Sequence, residues 1–329
     1  MTAAVVVLIL CDMDKKELIA LTLLKGQGVG NSFIKKNLDA LKCASSIVDG
    51  ILKLVPEFDV DAYIEKCLTQ AERIIQECSE KGYTIVCIGD ASYPSSLLEI
   101  NDPPAVLYMK GNRQLMDKVI ALIGTRHSTP LGNKIAEKLG VYFSKTHSIC
   151  NGLADGIDRH AIYHNGIALP NVIGVISGGL NYESTCSKSC AVVINDVLNS
   201  GGLIISEFPP YQKEDQFSGS KVSRIQAGLA HALILVQSSI TGGSKYTMKA
   251  YSKLNRPVGV IHYPANKEYF SEVFGANRLI AEKGIDGIAE FVGLKTTKGL
   301  TFSKIVKIEG QADYESLVTE SSPFGSSLF

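Results

Sequence analysis

Two consecutive units, each an apolar run followed by a glycine-rich loop and a helical pattern, constrain the fold of this chain most strongly. The first run, Val119–Ile123, leads through Gly124-Thr125-Arg126 into a helical pattern over Leu131–Phe143. The second run, Ser148–Cys150, leads through a loop with the sequence NGLADGI into a helical pattern over Asp158–His164. Successive strand–loop–helix units are the parts of a parallel sheet, because parallel neighbours need a crossover connection.

The alternation of strand and helix patterns continues to residue 262. Apolar runs that predict strands lie at Val172–Ile176, Leu203–Ile205, Leu233–Val236 and Val258–His262. Helical patterns lie between them at Ser187–Leu198, Val222–Ala230 and Lys245–Leu254. Short glycine-rich loops join these segments, so the sequence predicts an α/β fold with a doubly wound parallel sheet.

The residues before this region predict a small N-terminal helical domain, residues 1–82. Apolar spacing predicts helices over Lys15–Leu24 and Val60–Glu80, and Asn31 or Ser32 is expected to cap a helix that continues to Leu41. A GQGVG segment at residues 26–30 separates the first helix from the next. It is either a plain turn in a helical bundle or a hairpin whose backbone amides contact phosphates.

The α/β domain is predicted to span residues 83–292. It opens with a strand at Thr84–Ile88 and a proline-rich connector over residues 90–111. Residues 293–329 are predicted to be a short appendage with a serine-rich tail, since they carry no further alternation of patterns.

Composition narrows the functional classes. The 329 residues carry 33 Lys and Arg against 33 Asp and Glu, so nucleic-acid binding would need a local basic patch. The apolar run Ala3–Leu10 is too short to span a bilayer and lacks the basic start of a secretory signal. Of eight cysteines, only Cys186 and Cys190 lie close together, which suits a reducing cytoplasm and predicts no metal site.

The predicted loops at the carboxyl ends of the strands are the candidate ligand site. Open α/β sheets bind ligands there, and glycine-rich loops at helix starts present backbone amides to a phosphate. Residues 216–260 contain six Lys and Arg and no Asp or Glu. Five cations at or near strand ends are expected to form one basic patch: Arg126, Lys221, Arg224, Lys245 and Arg256.

The ordered motifs of residues 93–290 resemble those of the DNA-processing protein A (DprA/Smf) family. The matching segments are Tyr93-Pro94 with Leu97, Asp102–Tyr108, Ile123–Arg126 with Thr129 and Gly132, Gly152–Asp158, Gly202–Glu207, Arg224-Ile225 with Ala227–Leu229, Thr241–Ser244 with Thr247 and Ala250, Asn255–Val258, and Asn277 with Leu279-Ile280. The chain also departs from the family pattern. Asn151 stands in place of Ser, His160-Ala161 reverses the usual order, and Lys221-Val222-Ser223 replaces an Arg-Asn pair. The chain is therefore similar to a divergent member.

The resemblance implies an extended Rossmann-like fold that binds single-stranded DNA without catalysis or a cofactor. It implies protection of that DNA or help in loading a RecA-type recombinase during DNA uptake, transformation or recombination, and a homodimer in the cytoplasm. The residues expected to bind DNA phosphates are Gly124, Thr125, Arg126, Thr129, Gly152, Gly156, Lys221, Arg224, Gly242, Gly243, Ser244, Lys245 and Arg256. Phe217 or Tyr246 could stack on a base, although packing is the commoner role of an aromatic side chain.

Two other functions stay open. A nucleotide-binding sensor of the same superfamily, acting in phage defence, would use the same loops without a DNA groove. A LOG-like nucleotide phosphoribohydrolase would need an acidic residue after the Thr241–Ser244 loop, where Met248 and Lys249 stand instead.

Other reactive side chains have simpler interpretations. Asp155 and Asp158 could be a catalytic pair, but Asp158 is expected to cap the following helix. Glu207 has no evident partner base. His160 and His164 are four residues apart in a predicted helix without a third metal ligand.

Overall fold

A computed structural model describes residues 14–24, 29–57, 64–215 and 218–318. The run Ala3–Leu10, most of the GQGVG segment, Phe217 and the serine-rich tail lie outside the described residues. The chain divides into two compact units. The first unit contains residues 1–93 and 101–107, and the second contains residues 94–100 and 108–329.

The first unit is mainly helical. Its elements are α1 (Lys15–Leu23), α2 (Asn31–Lys36), α3 (Leu38–Lys42), α4 (Ile47–Leu54), α5 (Ile64–Glu80) and β1 (Thr84–Cys87). The Asp14 side chain caps α1 by accepting hydrogen bonds from the backbone amides of Lys16 and Glu17. Helix α1 packs against α5, and both contribute fully buried side chains such as Leu18 and Ala71.

The predicted cap at Asn31 or Ser32 is wrong, and so is the continuous helix to Leu41. The N-cap of α2 is Gly30, and Asn31 instead accepts a hydrogen bond from the backbone amide of Ala105. The helix is interrupted at Asn37, whose backbone leaves the helical region. Helix α4 was not predicted from the sequence, and its N-cap is Ser46, whose hydroxyl accepts a hydrogen bond from the Asp49 amide.

The second unit is built on a large sheet. Strand β2 (Val106–Gly111) begins in the first unit and ends in the second. The later elements are β3 (Val119–Gly124), α6 (Pro130–Phe143), β4 (Ser148–Asn151), α7 (Ile157–Ile162), β5 (Tyr163–His164), β6 (Ile167–Ala168), β7 (Val172–Val175), α8 (Tyr182–Thr185), α9 (Lys188–Asn199), β8 (Leu203–Ser206), α10 (Ser218–Leu229), β9 (Ala232–Gln237), α11 (Ser244–Tyr251), β10 (Val258–Ile261), α12 (Gly275–Lys283), α13 (Ile285–Phe291), β11 (Ile305–Ile308) and α14 (Ala312–Val318).

The strand order in this unit is β2-β8-β7-β4-β3-β9-β10-β11, which confirms the doubly wound arrangement. Within this strand order, β2 pairs antiparallel with β8, and the register places Tyr108 opposite Ser206; the described pairings from β8 to β11 are parallel. The chain runs outward from β3 through β4, β7 and β8, then returns to place β9 on the other side of β3. The strand order reverses between β3 and β9, the place where open α/β sheets form a ligand crevice. We call the edge formed by the carboxyl ends of β3, β4 and β7–β11 the carboxyl edge, and the opposite edge the amino edge.

The central strands are buried along their length because helices cover the sheet. Strands β3 and β9 are almost completely buried, from Val119 to Ile123 and from Ala232 to Gln237. Such continuous apolar runs are typical of parallel strands. Helix α6 begins where the Thr129 hydroxyl accepts a hydrogen bond from the Gly132 amide, with Pro130 in the first turn.

Several elements differ from the sequence expectations, and short helices such as α8, α12, α13 and α14 were not predicted. Helix α7 ends at Ile162, because Asn165 and Gly166 adopt left-handed backbone conformations and turn the chain into a two-stranded hairpin. Helix α10 begins at Ser218, four residues earlier than expected. Strand β11 pairs in parallel with β10 and was not predicted.

Among the residues that the structure describes, no helix is long and apolar enough to cross a membrane. The predicted domain boundaries after residues 82 and 292 stay predictions.

Candidate nucleic-acid interface

The loops that follow β3 and β4 are locked together at the carboxyl edge. Gly156 has a φ of +77°, and a Cβ there would lie 2.3 Å from the Thr125 carbonyl oxygen and 2.5 Å from that of Arg126. The Ile157 amide donates a hydrogen bond of 3.1 Å to the same Thr125 oxygen. Gly124 is equally confined, since a Cβ would lie 2.4 Å from Ile157. The two loops therefore form one fixed surface.

The Asp158 carboxyl group is hydrogen-bonded to the loop that follows β4. Its Oδ2 accepts hydrogen bonds from the amides of Gly152, at 2.9 Å, and Ala154, at 3.4 Å. Burial raises the pKa of the Asp158 carboxyl to about 7, against the opposing effects of these two hydrogen bonds and of the Arg126 charge. The expectation that Asp158 caps α7 is wrong, because its side chain turns back to the preceding loop and Gly156 is the N-cap.

Thr129 is bound to the end of β9. Its amide donates to Gln237 Oε1 at 3.0 Å, and its hydroxyl accepts from Gln237 Nε2 at 2.8 Å. Gln237 was not singled out from the sequence, although it fixes the start of α6 beside the loop that carries Arg126. The sequence feature that marks Gln237 is a polar residue at the end of an otherwise apolar run.

Three predicted cations are accessible at the carboxyl edge. Arg126 is exposed, and its side chain makes no hydrogen bond or ion pair within the described ranges. Lys221, in the first turn of α10, is exposed and its ammonium lies 5.5 Å from the centre of the Phe208 ring. Lys245, in the first turn of α11, lies at the same distance from the half-exposed Tyr246 ring. All three precede or begin helices that start at this edge.

Arg224 is engaged within the protein. Its Nη1 and Nη2 lie 2.8 Å and 2.6 Å from the two carboxylate oxygens of Glu207, and Nη1 also donates to the Lys221 carbonyl at 2.7 Å. The side chains of Arg224 and Glu207 are only 14% and 9% exposed. Glu207, considered as a catalytic group from the sequence, is therefore the counter-ion of Arg224. The role of Arg224 in phosphate binding stays a prediction.

The predicted grouping of Arg256 with the other cations is wrong. Arg256 precedes β10 and so lies at the amino edge, whereas Arg126 follows β3 at the carboxyl edge. Its Nη1 donates to the carbonyls of Gly228 and Ala230, and its Nη2 lies 2.8 Å from Glu99 Oε2. The side chain thus joins the turn before β9 to the segment at Glu99.

The turn between β9 and α11 contains three of the predicted residues. A Cβ on Gly242 would lie 2.3 Å from Ser238 Oγ, whereas a Cβ on Gly243 would meet nothing within 4 Å. Ser244 is buried, and its hydroxyl has no hydrogen-bond partner in the described part of the chain. Asn277 connects this turn to β9 through hydrogen bonds. Its Oδ1 accepts from the Ser238 amide at 2.9 Å, and its Nδ2 donates to the Leu235 carbonyl.

The residues considered for hydrolase or metal chemistry have the following surroundings. In the stretch that aligns with the LOG-like motif, Met248 is completely buried and Lys249 is exposed, so no carboxyl group stands at either position. His164 lies in β5 rather than on α7, and its Nδ1 is 2.8 Å from Glu137 Oε1. No group of three or more His, Cys, Asp or Glu side chains that could hold a metal occurs among the described residues.

A family model and sequence relatives indicate the same family. The family model for DNA recombination-mediator protein A matches residues 84–292. The chain is 31% identical over 206 residues to DNA processing protein DprA of Bacillus subtilis, covering 62% of this chain and 68% of that protein. It is 28% identical over 208 residues to Protein Smf of Synechocystis, covering 59% of this chain and 51% of that protein.

Two solved structures are similar in fold. DNA processing protein A of Helicobacter pylori, described for its single-stranded DNA binding mode, matches with a TM-score of 0.53 at 26% identity and covers 64% of this chain and 94% of its own. The Streptococcus pneumoniae protein of the same name matches with a TM-score of 0.55 at 24% identity and covers 82% of this chain and 90% of its own.

Proposed function

The chain belongs to the DNA recombination-mediator protein A family, and from this premise we propose that it binds single-stranded DNA along the carboxyl edge of its second unit. The observation that carries the proposal is Arg126. Its guanidinium is exposed and unpaired within the described residues, on a loop that Gly156 holds in place. An arginine in this position can bind a phosphate through two parallel hydrogen bonds.

The other two accessible cations support a path for the DNA backbone. Lys221 and Lys245 lie near the starts of α10 and α11. Both helices start at the carboxyl edge, because each connects the end of one parallel strand to the amino end of the next. The backbone of single-stranded DNA is attracted to such a row of cations, while aromatic side chains offer surfaces for the bases. Tyr246, half-exposed beside Lys245, is the described aromatic side chain that suits this role.

The turn before α11 supplies a place for a phosphate. The backbone amides at the start of a helix of this length carry partial positive charge, and Gly243 leaves open space beside them. The unpartnered Ser244 hydroxyl lies at the same helix start. The Lys245 and Tyr246 amides already donate to the carbonyls of Gly242 and Gly243. A phosphate bound here would therefore be attracted mainly by the partial positive charge of the helix start.

The experiment that tests the proposal is a titration of a labelled single-stranded oligonucleotide against the wild type and Arg126→Ala, followed by fluorescence anisotropy. We expect Arg126→Ala to weaken binding about tenfold, since one phosphate contact of this kind contributes roughly 1–2 kcal/mol. Duplex DNA of the same sequence should bind more weakly than the single strand to the wild type.

Arg113→Ala is the matched control. Arg113 is also exposed, but it follows β2 at the amino edge of the same sheet. Its removal should leave affinity unchanged. Equal losses for both variants would mean that binding follows total charge rather than the carboxyl edge, and no loss for Arg126→Ala would remove that residue from the site.

By resemblance, the bound DNA would be protected or passed to a RecA-type recombinase during DNA uptake and recombination. We include in the proposal a homodimer, a cytoplasmic location and the absence of catalysis. In a homodimer, one DNA strand would contact the carboxyl edges of both copies. Binding to the second edge would then be intramolecular, and its high effective concentration would raise the affinity. Sedimentation with and without oligonucleotide tests the dimer, and co-sedimentation with a RecA-type recombinase tests that partner.

Binding of a free nucleotide is a second candidate function, which the unpartnered Ser244 hydroxyl favours. A nucleotide phosphate would occupy the same helix start without needing Lys221. Separate titrations of a nucleoside triphosphate and an oligonucleotide, each against the wild type and Lys221→Ala, decide between the two functions. A nucleotide sensor would bind the triphosphate equally tightly in both proteins and would not bind the oligonucleotide. That result would replace the DNA proposal.

A further inference from the structure

Exposed apolar side chains are grouped in the segments that follow β9 and β10. Those segments carry four large apolar residues with exposed side chains: Ile240, Tyr246, Tyr263 and Phe270. Phe270 is 59% exposed, whereas the preceding Tyr269 is 1% exposed. A group of exposed apolar side chains, unlike scattered ones, marks a surface that another molecule covers.

The backbone that carries Phe270 is firmly held. Phe270 ends a 3₁₀ turn that begins at Lys267, between β10 and α12. The Glu268 amide donates to the Asn266 side chain at 2.9 Å, and Arg278 Nη1 donates to the Tyr269 carbonyl at 2.6 Å. The buried Tyr269 ring contacts the Phe270 ring edge-on, with 5.8 Å between ring centres. The exposed ring is therefore preorganised, which lowers the entropy cost of binding.

The same turn is joined to the start of α6. Glu268 Oε1 accepts a hydrogen bond from the Leu131 amide at 3.2 Å. Leu131 lies in the first turn of α6, five residues after Arg126. The segments that follow β3 and β10 therefore meet at the carboxyl edge, and Phe270 lies two residues beyond the residue that joins them.

Lys267 gives the ring a charged neighbour. Side chains three residues apart lie on the same side of a 3₁₀ turn, and both Lys267 and Phe270 are exposed. Covering an ammonium group with an apolar protein surface would cost free energy, whereas the same group attracts a polyanion. A ring with such a neighbour therefore suits a nucleic-acid base better than an apolar protein surface.

We propose that Phe270 stacks on an unpaired base of the single strand, a base subsite that rests on the proposed function and adds to the phosphate contacts. Every base has a flat π face, so stacking on this ring raises affinity without sequence preference. In a duplex the bases are already stacked on one another, so the ring also favours single strands.

A tryptophan placed on the turn tests the contact directly. The chain contains no tryptophan, so Phe270→Trp introduces a single indole whose emission a stacked base quenches. We expect a loss of emission that saturates at the oligonucleotide concentration where anisotropy shows full binding. Ile167→Trp is the matched control, since Ile167 is 71% exposed and lies in β6, close to the amino end of β7. Its emission should not change.

Substitutions of Phe270 separate stacking from apolar contact. Phe270→Ala should weaken oligonucleotide binding about tenfold, and Phe270→Tyr should keep the wild-type affinity because it keeps a flat ring. Phe270→Leu, which is apolar without a ring, should bind as weakly as the alanine variant. The salt dependence should be the same in all of these proteins, since no charge is removed. Thermal denaturation checks that each variant is folded.

The outcomes distinguish this subsite from the proposed function. If the wild type binds the oligonucleotide while the Phe270→Trp emission stays constant, or while Phe270→Leu binds like the wild type, the base subsite is wrong and the DNA proposal stands. If the wild type binds no oligonucleotide, the proposed function fails and this inference fails with it. Emission of Phe270→Trp that changes with protein concentration in the absence of DNA would assign the ring to a contact between two copies and overturn the proposal.

Discussion

Arg126 and Arg224 are both near the carboxyl edge, but they differ in exposure and in charge pairing. Arg126 faces water, whereas Arg224 is bound through both nitrogens to Glu207 in a largely buried pair. Removing one partner of such a pair leaves an uncompensated charge, which costs more than the pair itself contributes. The two arginines should therefore respond to substitution in different measurements.

We expect Arg224→Met to lower the free energy of unfolding by about 3 kcal/mol, because the Glu207 carboxylate then stays buried without a partner. The double variant Glu207→Gln with Arg224→Met should lose less than Arg224→Met alone. Urea denaturation of the wild type, the two single variants and the double variant measures this coupling. Additive losses would contradict it and would make Arg224 an ordinary surface cation.

Asp158 should make stability depend on pH. Its folded-state pKa of about 7 lies above the ordinary value of 3.8, so between these pH values the folded protein holds a proton that the unfolded chain has released. Stability from this group is therefore greatest below about pH 4, falls as the pH rises towards 7 and then stays constant.

Asp158→Asn should abolish that dependence while keeping an oxygen for the amides of Gly152 and Ala154. Urea denaturation at pH 5, 6, 7 and 8 measures it. The asparagine variant should gain stability relative to the wild type up to about pH 7, with little change from pH 7 to 8. A difference that does not vary with pH would show that the carboxyl titrates at its ordinary pH.

The loops of the carboxyl edge are best tested through two glycines with contrasting surroundings. Gly156→Ala places a methyl group against two carbonyl oxygens in a left-handed backbone conformation, so we expect a loss of roughly 1–3 kcal/mol in the free energy of unfolding. DNA affinity should also fall, because the loop that carries Arg126 must move.

Gly243→Ala meets open space, and Gly243 has an ordinary φ of −64°. Thermal denaturation should therefore show no loss, while the added methyl group should weaken oligonucleotide binding measured by anisotropy. If affinity is unchanged, no phosphate binds at the start of α11.

The sequence predicted the strands better than the side-chain roles. The buried strands were found because continuous apolar runs such as Val119–Ile123 match parallel strands. In contrast, Tyr163 and His164 were predicted as helix but form strand β5. Strand β11 was missed because its four residues alternate at the sheet margin instead of forming an apolar run. Arg256 was placed at the wrong edge, although a residue before a parallel strand must lie opposite one that follows it.

The side-chain partners in these hydrogen bonds and ion pairs could not be predicted from one sequence. Glu207 and Arg224 are 17 residues apart, and Thr129 and Gln237 are 108 apart, so only the folded sheet brings each pair together. A motif identifies which residues matter near a loop. Whether an arginine there faces a ligand or a carboxylate depends on tertiary contacts.

The molecule as a whole is electrically neutral, with 33 basic and 33 acidic residues. In the proposed function, attraction to DNA comes from a local group of accessible cations at the carboxyl edge, which includes Arg126, Lys221 and Lys245. Three phosphate contacts predict a slope of about −2 in a plot of log affinity against log salt concentration for a single strand.

Anisotropy titrations from about 50 to 300 mM salt measure this slope, and Arg126→Ala should reduce its magnitude by about 0.7. A much steeper slope in the wild type would mean that further cations contact the DNA. An unchanged slope in the variant would mean that Arg126 does not neutralise a phosphate.

The contact of Gly156 with the Thr125 and Arg126 carbonyls has a kinetic consequence. A loop that must become ordered on binding slows association, because only a fraction of encounters finds it in the competent conformation. Here the backbone beneath the arginine is already fixed, so only the side chain has to rotate when a phosphate arrives. For the proposed site, this predicts faster association than a loop that must first become ordered, with affinity differences among variants mainly in the dissociation rate.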